Sequence, residues 1–123
     1  FLSFVLHLKS LLANYAWYQA VGENHSWPVG RLKPNDWGLF DMHGNVIEWC
    51  YDAFTEDLSS PKNVSTFTPK TGAIAETETR LLRGGSYYLD SSSVRSAYRY
   101  SSQPTDRIFT YGLRPVRTLG LRP

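Results

Sequence analysis

Apolar residues follow a helical spacing only at the start of the chain. Within FLSFVLHLKSLL, apolar side chains recur three or four positions apart from Phe1 to Leu12, which predicts an amphipathic helix. The segment is shorter than the roughly 20 apolar residues that cross a bilayer. We therefore expect a helix that packs on the domain, and we expect no membrane span.

Further along, the pattern breaks into short aromatic-rich runs separated by Gly, Pro, Asn and Asp. These runs, which have the pattern of short strands, cover residues 15–18, 38–40, 46–51, 80–82 and 112–116. No long helical period follows residue 20. Residues 54–79 are rich in Ser, Thr, Pro and Lys, so they predict a long surface loop.

Composition narrows the class of protein. The chain has 123 residues, of which 41% are hydrophobic and 20% are charged, as expected for one globular domain. The single cysteine, Cys50, excludes an internal disulfide, a multi-cysteine zinc site and a two-cysteine redox pair. A formal net charge of +2 is too balanced to indicate a nucleic-acid or membrane partner.

The charges are unevenly distributed along the sequence. Seven acidic residues stand against two basic ones between Glu23 and Asp57, whereas eight arginines stand against two aspartates from Arg80 onward. Two such segments are expected to pair with each other. The sharper alternative is an acidic cation site beside an arginine-lined surface for an anionic or polar ligand.

One dense segment of polar chemistry is NDWGLFDMHGNVIEWC, residues 35–50. Asp41 and Glu48 bracket a Gly-Asn turn, so the chain can bring both carboxylates near the carbonyl oxygens of the turn. Hard oxygen ligands of this kind suit calcium, although composition alone also fits a solvated turn. Cys50, beside Trp49, is expected to be a buried small apolar residue rather than a nucleophile.

A second dense segment is RGGSYY, residues 83–88, which is followed by RSAYR at 95–99. Arg95 and Arg99 are four apart, so on a helix they would share one face and could contact carboxylates. A structural strut to an acid such as Asp41 or Asp52 is the simpler interpretation. For Ser86, a turn hydroxyl bonded to the backbone is favoured over a nucleophile, since no histidine is placed beside it.

Taken in order, GLFDMHGNVIEW, RLLRGGSY, RSAYR and YGLRPVR resemble the C-terminal half of the formylglycine-generating enzyme (sulfatase-modifying factor) domain. The resemblance covers residues 14–118 and leaves out the apolar segment 1–13 and the tail 119–123. It implies an α+β fold similar to C-type lectins, with little regular secondary structure. Ile47 and Leu113 stand where the family usually has tryptophan and phenylalanine.

The resemblance also implies a calcium site. In the family, the corresponding turn holds calcium through side-chain oxygens at the positions of Asp41 and Glu48 and backbone oxygens at those of Gly44 and Val46. A second family site draws on an upstream asparagine and an acid, for which Asn14 and Glu23 are the candidates here.

The resemblance argues against oxidase chemistry in this chain. The family's oxidase binds copper(I) through two cysteines that lie between the Gly-Gly-Ser motif and the arginine motif. The corresponding interval here, residues 87–94, reads YYLDSSSV and holds no cysteine. Since copper(I) prefers thiolate ligands, we expect neither copper nor catalytic residues.

The expected function is therefore a calcium-stabilised module that binds a protein or a small polar ligand. Its expected ligand residues lie on the surface formed by residues 86–100 and 103–111, where Tyr, Ser, Asp and Arg give an adaptable composition; they are Ser86, Tyr87, Tyr88, Arg95 and Tyr100. The resemblance also implies other domains in a longer chain, because family members are often fused to bacterial signalling or catalytic domains. The alternative is thus an accessory or partial domain of a larger enzyme that oxidises cysteine to formylglycine.

Overall fold

The structure is a computed structural model that describes residues 10–56 and 78–116. Residues 10–12 are helical, and six strands follow: β1 (Ala16–Trp17), β2 (His43–Gly44), β3 (Ile47–Ala53), β4 (Arg80–Arg83), β5 (Tyr100–Ser102) and β6 (Tyr111–Gly112). Most of the predicted helix over Phe1–Leu12, most of the predicted 54–79 loop and the tail 119–123 lie outside the described residues. In the described part of the chain, no helix is long and apolar enough to cross a membrane.

A small mixed sheet organises the domain. Its strand order is β5-β4-β3-β6, in which β4 runs antiparallel to both β3 and β5 while β6 runs parallel to β3. β1 and β2 form a separate parallel pair. The order brings segments far apart in sequence to one place, since Ile47 lies opposite Tyr111 and Glu48 lies opposite Gly112.

Some of the aromatic-rich runs are strands, as predicted, and one is not. The runs at 15–18, 46–51 and 80–82 contain β1, most of β3 and most of β4, and the run at 112–116 overlaps β6 at Gly112 alone. The run at 38–40 is not a strand, because the Oδ1 atom of Asn35 accepts hydrogen bonds from the backbone N–H groups of Trp37 and Leu39 and closes a turn. β2 and β5 lie outside the predicted runs.

The buried residues form a compact centre beneath these strands. Ala16, Tyr18 and Val94 pack together, with Leu12, Ala13 and Val21 partly buried against them. Ile47 and Leu82 are buried on the sheet, in keeping with side chains that alternate between the two faces of a strand. The residues around Ile47 and Glu48 are thereby held in fixed positions on β3.

Candidate functional site

The Asp41–Glu48 turn is shaped by three residues with left-handed backbone conformation: Asp41 (φ 54°), Gly44 (φ 75°) and Asn45 (φ 61°). Asn and Asp tolerate this conformation better than other residues with a side chain. At Gly44 a glycine is required, because a Cβ atom there would overlap the backbone carbonyl of Trp17 on the paired strand β1.

Asn45 ties this turn to three other segments. Its buried side-chain amide accepts from the N–H of Trp27 at 2.9 Å and donates to the carbonyl of the same residue at 3.0 Å. Its backbone N–H donates to the carbonyl of Trp17, and its carbonyl accepts from the N–H of Tyr87, both at 2.8 Å. Asn45 therefore has a structural role, since it connects the turn to the segments that contain Trp17, Trp27 and Tyr87.

Arg114 closes the same turn from the other end of the sequence. Its Nε atom donates to both carboxylate oxygens of Glu48 at 3.0 and 2.9 Å, and its Nη2 atom lies 2.8 Å from Oε1. Nη2 also donates to the carbonyls of Phe40 and Asp41. The hydrogen bonds with Glu48 and the negative charges of Glu48 and Asp41 raise the pKa of Arg114. The predicted pairing of the acidic and arginine segments is confirmed at this ion pair.

The predicted calcium ligands lie in this region. Asp41 and Glu48 stand at the two ends of the left-handed turn, and each carboxylate already has a partner in the fold. The Asp41 carboxylate accepts from the N–H of Gly30 at 2.7 Å, and the Glu48 carboxylate is shared with Arg114. Within residues 10–56 and 78–116, no three His, Cys, Asp or Glu side chains are grouped as metal ligands. A calcium ion here would therefore use the carbonyls of Gly44 and Val46 beside the two carboxylates.

The candidates for a second calcium site have other contacts. The Asn14 amide donates to the carbonyls of Ser10 and Leu11, at 3.3 Å each. The carboxylate of Glu23 lies 3.9 Å from His25. These contacts belong to local turns of the chain.

Other arginines of the basic segment, within the described residues 78–116, donate to backbone carbonyls. Arg83 donates to the carbonyls of Tyr98 and Ser96, and Arg95 donates to that of Ser92. Arg99 donates to the carbonyl of Thr55 and lies over the ring of Phe54. Residues 95–99 form turns and irregular backbone rather than a helix, so Arg95 and Arg99 do not share a helical face.

Aromatic side chains line a cleft of about 220 Å³, called here the aromatic cleft. Its walls are formed by Ile47, Ser86, Tyr88, Leu89, Tyr98, Tyr100 and residues 108–111. Tyr88 and Phe109 meet edge to face with ring centroids 6.2 Å apart, and Tyr100 and Tyr111 are similarly tilted at 6.5 Å. The cleft thus joins the loop after β4 to the loop between β5 and β6.

The structure brings together three of the five predicted ligand residues. Ser86, Tyr88 and Tyr100 line the aromatic cleft, whereas Tyr87 and Arg95 do not. Tyr87 is only 4% exposed, and its Cβ and carbonyl lie where a side chain on Gly22 would have to go. Tyr87 and Tyr88 are the central residues of a turn that the Leu89 N–H closes on the Ser86 carbonyl, and the turn places Tyr87 in the core and Tyr88 at the surface.

Two lining residues, Ile108 and Phe109, were not singled out from the sequence. They belong to the apolar sequence IFTY at 108–111, which follows a polar stretch. Both fall within the predicted ligand surface 103–111, and the apolar sequence in that range was the signal that could have found them.

Neither Ser86 nor Cys50 has the surroundings of a nucleophile. The Ser86 hydroxyl is buried and accepts from the N–H of Tyr88 at 3.4 Å, which fits the turn role expected for it. Cys50 is half-buried on β3, and burial together with the charge of Asp52 raises the pKa of its thiol. A raised pKa lowers the thiolate fraction at neutral pH, so Cys50 is a poor nucleophile.

A small mixed sheet with long irregular connections and a left-handed Gly-Asn turn defines the class of α+β domain that the motifs predicted. The chain matches the sulfatase-modifying factor enzyme 1-like domain over residues 6–119. It therefore belongs to that family, and the predicted resemblance is confirmed.

Known proteins with this domain differ in what surrounds it. The chain is 40% identical over 92 residues to a formylglycine-generating enzyme of Streptomyces coelicolor, with 71% of this chain and 27% of that protein covered. It is 35% identical over 89 residues to the serine/threonine-protein kinase pkn1 of Chlamydia pneumoniae, with 70% and 14% covered. The structure of PvdO from Pseudomonas aeruginosa superposes with a TM-score of 0.66 at 30% identity, with 82% of this chain and 38% of that chain covered.

The superposition with PvdO and the family match confirm the predicted fold class, an α+β fold similar to that of the formylglycine-generating enzyme. The chain spans about a seventh to a quarter of the two curated relatives and less than two fifths of the solved chain. Domains of this family therefore occur as parts of larger chains.

Proposed function

We propose that this chain is a binding module of the sulfatase-modifying family, with the aromatic cleft as its ligand site, rather than a copper oxidase. The observation that supports this most strongly is the cleft itself. Exposed apolar side chains that gather at one place are characteristic of interaction sites, and here they are contributed by two loops on a rigid sheet. Loops positioned by a scaffold commonly carry recognition.

The cysteine content supports the same proposal. Copper(I) sites are built from soft sulfur ligands, and residues 87–94 contain none. The aromatic cleft includes Ser86 but no thiol.

Incubation of the chain with copper(I), oxygen and a peptide containing Cys-x-Pro-x-Arg tests this point by mass spectrometry. We expect the peptide cysteine to stay unconverted, whereas an active formylglycine-generating enzyme run in parallel converts it. Formation of formylglycine by this chain would overturn the proposal.

We also propose that calcium stabilises the module through Asp41, Gly44, Val46 and Glu48. The two acidic residues that bracket this left-handed turn support the site, and calcium accepts carboxylate and carbonyl oxygens together. A ligand that binds only the folded state at 100 times its Kd adds about 2.7 kcal/mol to the free energy of unfolding. Saturating calcium should therefore raise the Tm, and a chelator should lower it.

Asp41→Asn is the matched variant for this test. Asparagine tolerates the left-handed conformation at this position and can still accept from the N–H of Gly30, but it lacks the charge. The variant should keep its Tm in chelator and lose most of the calcium response. If calcium and chelator leave the Tm of the unsubstituted chain unchanged, the calcium proposal fails.

The second candidate function is an accessory domain within a larger enzyme. This accessory function is favoured by the match between the chain and about a seventh of the length of a protein kinase. An accessory domain could position a substrate while another domain of the same chain catalyses the reaction. Deleting the corresponding domain from a full-length family kinase distinguishes the two. An accessory role predicts lower phosphorylation of a physiological substrate, with unchanged phosphorylation of a short peptide.

A further inference from the structure

The aromatic cleft lacks charged side chains in its lining. Its walls are Ile, Leu, Phe and Tyr side chains, with only Ser86 and Thr110 as other polar residues. A buried charge without a partner is strongly unfavourable, so a ligand group that enters this cleft fully should be uncharged.

The charged side chains that lie near the cleft in sequence are hydrogen-bonded within the fold. Arg83 and Arg99 donate to backbone carbonyls, as does Arg107. Asp90 accepts from Ser92 and Ser93, hydrogen bonds that lower its pKa, and Asp106 accepts from Ser102 and Gln103. None of these charged side chains lines the cleft, so the lining favours a neutral ligand group over an ionic one.

The size of the cleft points to a single side chain. Its volume of about 220 Å³ is below the roughly 300–1,000 Å³ of sites that enclose a drug-sized molecule. Its rim is an exposed apolar surface, since Phe109 is 73% exposed and Tyr88 is 56% exposed. A cleft for one side chain inside a wider apolar, tyrosine-rich rim is the arrangement found in protein-protein interfaces.

From these observations we infer that the aromatic cleft binds a protein partner through one uncharged aromatic or aliphatic side chain, with Tyr88 and Phe109 forming the rim. The inference rests on the proposed binding function and narrows its ligand from a protein or a small polar ligand to an apolar anchor residue on a protein. Arg83, Arg99 and Arg107 donate to backbone carbonyls and do not line the cleft, so they contribute to the shape of the site and not to its charge.

Four acetylated and amidated peptides of sequence Gly-Gly-X-Gly-Gly, in which X is Trp, Leu, Glu or Arg, test the inference. Each is titrated into the full chain labelled with ¹⁵N, and amide chemical shifts report both affinity and location. The Trp and Leu peptides should shift the amides of residues 86–89 and 108–111. We expect the Trp peptide to bind about tenfold more tightly than the Glu peptide, a difference typical of one well-packed side chain.

Two matched variants locate the interaction. Phe109→Ala removes an exposed rim ring and should weaken Trp-peptide binding about fivefold, in line with loss of one aromatic contact. Trp37→Ala removes a ring that is 85% exposed but does not line the cleft, and it should leave the affinity unchanged. The dispersion of the amide spectrum shows directly whether each variant is folded.

The outcomes separate this inference from the function on which it rests. If the Glu or Arg peptide binds most tightly and Phe109→Ala weakens it, the cleft is a ligand site but the neutral anchor is overturned. If no peptide binds in the cleft, or if the two variants change affinity equally, both the anchor and the proposed ligand site are overturned.

Discussion

Ile47 and Glu48 are neighbours on β3, but their side chains belong to two different regions of the molecule. Ile47 lines the aromatic cleft, whereas the carboxylate of Glu48 is held by Arg114 in the Asp41–Glu48 turn. Alternation along a strand directs successive side chains to opposite faces. One face of the sheet therefore carries a polar clamp, which is the Asp41–Glu48 turn held by Arg114 through hydrogen bonds. The other face carries the aromatic cleft, whose rings are partly exposed.

The difference indicates how this small domain divides stability from recognition. Hydrogen bonds to charged groups contribute most when they are partly buried and geometrically fixed, and the clamp meets both conditions. Exposed rings contribute little to folding until they meet a partner. Substitutions in the clamp should therefore change the free energy of unfolding, and substitutions at the rim of the cleft should change binding.

The largest expected effect is at Gly44, on the clamp side. Gly44→Ala places a methyl group against the Trp17 carbonyl at φ 75°, so we expect the free energy of unfolding to fall by more than about 4 kcal/mol. The control is Gly38→Ala, which has nearly the same φ, 76°, and open space around the new methyl group. That control should lose about 1–2 kcal/mol, the usual penalty of the left-handed conformation. Urea unfolding compares them, and equal losses would contradict the close approach of β1 and β2.

The next largest effect on the free energy of unfolding is expected at Tyr87, and its comparison with Tyr88 separates a core residue from a residue of the cleft. Tyr87→Ala removes a ring that is 4% exposed, and we expect a loss of about 3–4 kcal/mol, as for other buried aromatic residues. Tyr88→Ala, one residue away, should cost no more than about 1 kcal/mol, mostly from the edge-to-face contact with Phe109. Thermal unfolding of the two variants measures the contrast. A more stable Tyr87→Ala than Tyr88→Ala would contradict the division.

A smaller effect is expected at Arg114. Arg114→Met removes the bidentate contact with Glu48 and two hydrogen bonds to carbonyls, and we expect a loss of about 2 kcal/mol, as for hydrogen bonds between partly buried charged groups. The control Arg95→Met removes one exposed contact to the Ser92 carbonyl and should cost less than about 0.5 kcal/mol. The urea midpoint reports both changes. Equal urea midpoints for the two variants would contradict a stabilising contact between Arg114 and Glu48.

Local patterns in the sequence predicted the clamp better than the cleft. The Gly-Asn turn with an acid on each side was recognisable because glycine and asparagine have a limited set of uses in turns. The pairing of acidic and basic segments also followed from the sequence, but the choice of Arg114 for Glu48 depended on β6 lying beside β3. Such a long-range pairing leaves no local pattern.

The cleft was only partly predictable for a related reason. Tyr87 and Tyr88 are the same residue type at adjacent positions, and the burial of Tyr87 depends on its close packing against Gly22. The arginines suggested a charged ligand surface, because a sequence does not show that Arg83 and Arg99 donate to backbone carbonyls of the fold. The family resemblance supplied the fold class and the calcium proposal, whereas the ligand class came from side-chain positions.

The division between clamp and cleft is tested most directly by measuring both the urea midpoint and the affinity for the Trp pentapeptide in Tyr88→Ala and Arg114→Met. We expect Tyr88→Ala to keep its free energy of unfolding, obtained from the urea midpoint, within about 1 kcal/mol of the unsubstituted chain and to bind the peptide severalfold more weakly. We expect Arg114→Met to show the reverse, with a lowered midpoint and an unchanged affinity of the folded protein. If Arg114→Met loses peptide affinity as strongly as Tyr88→Ala, stability and recognition are not separated in this domain.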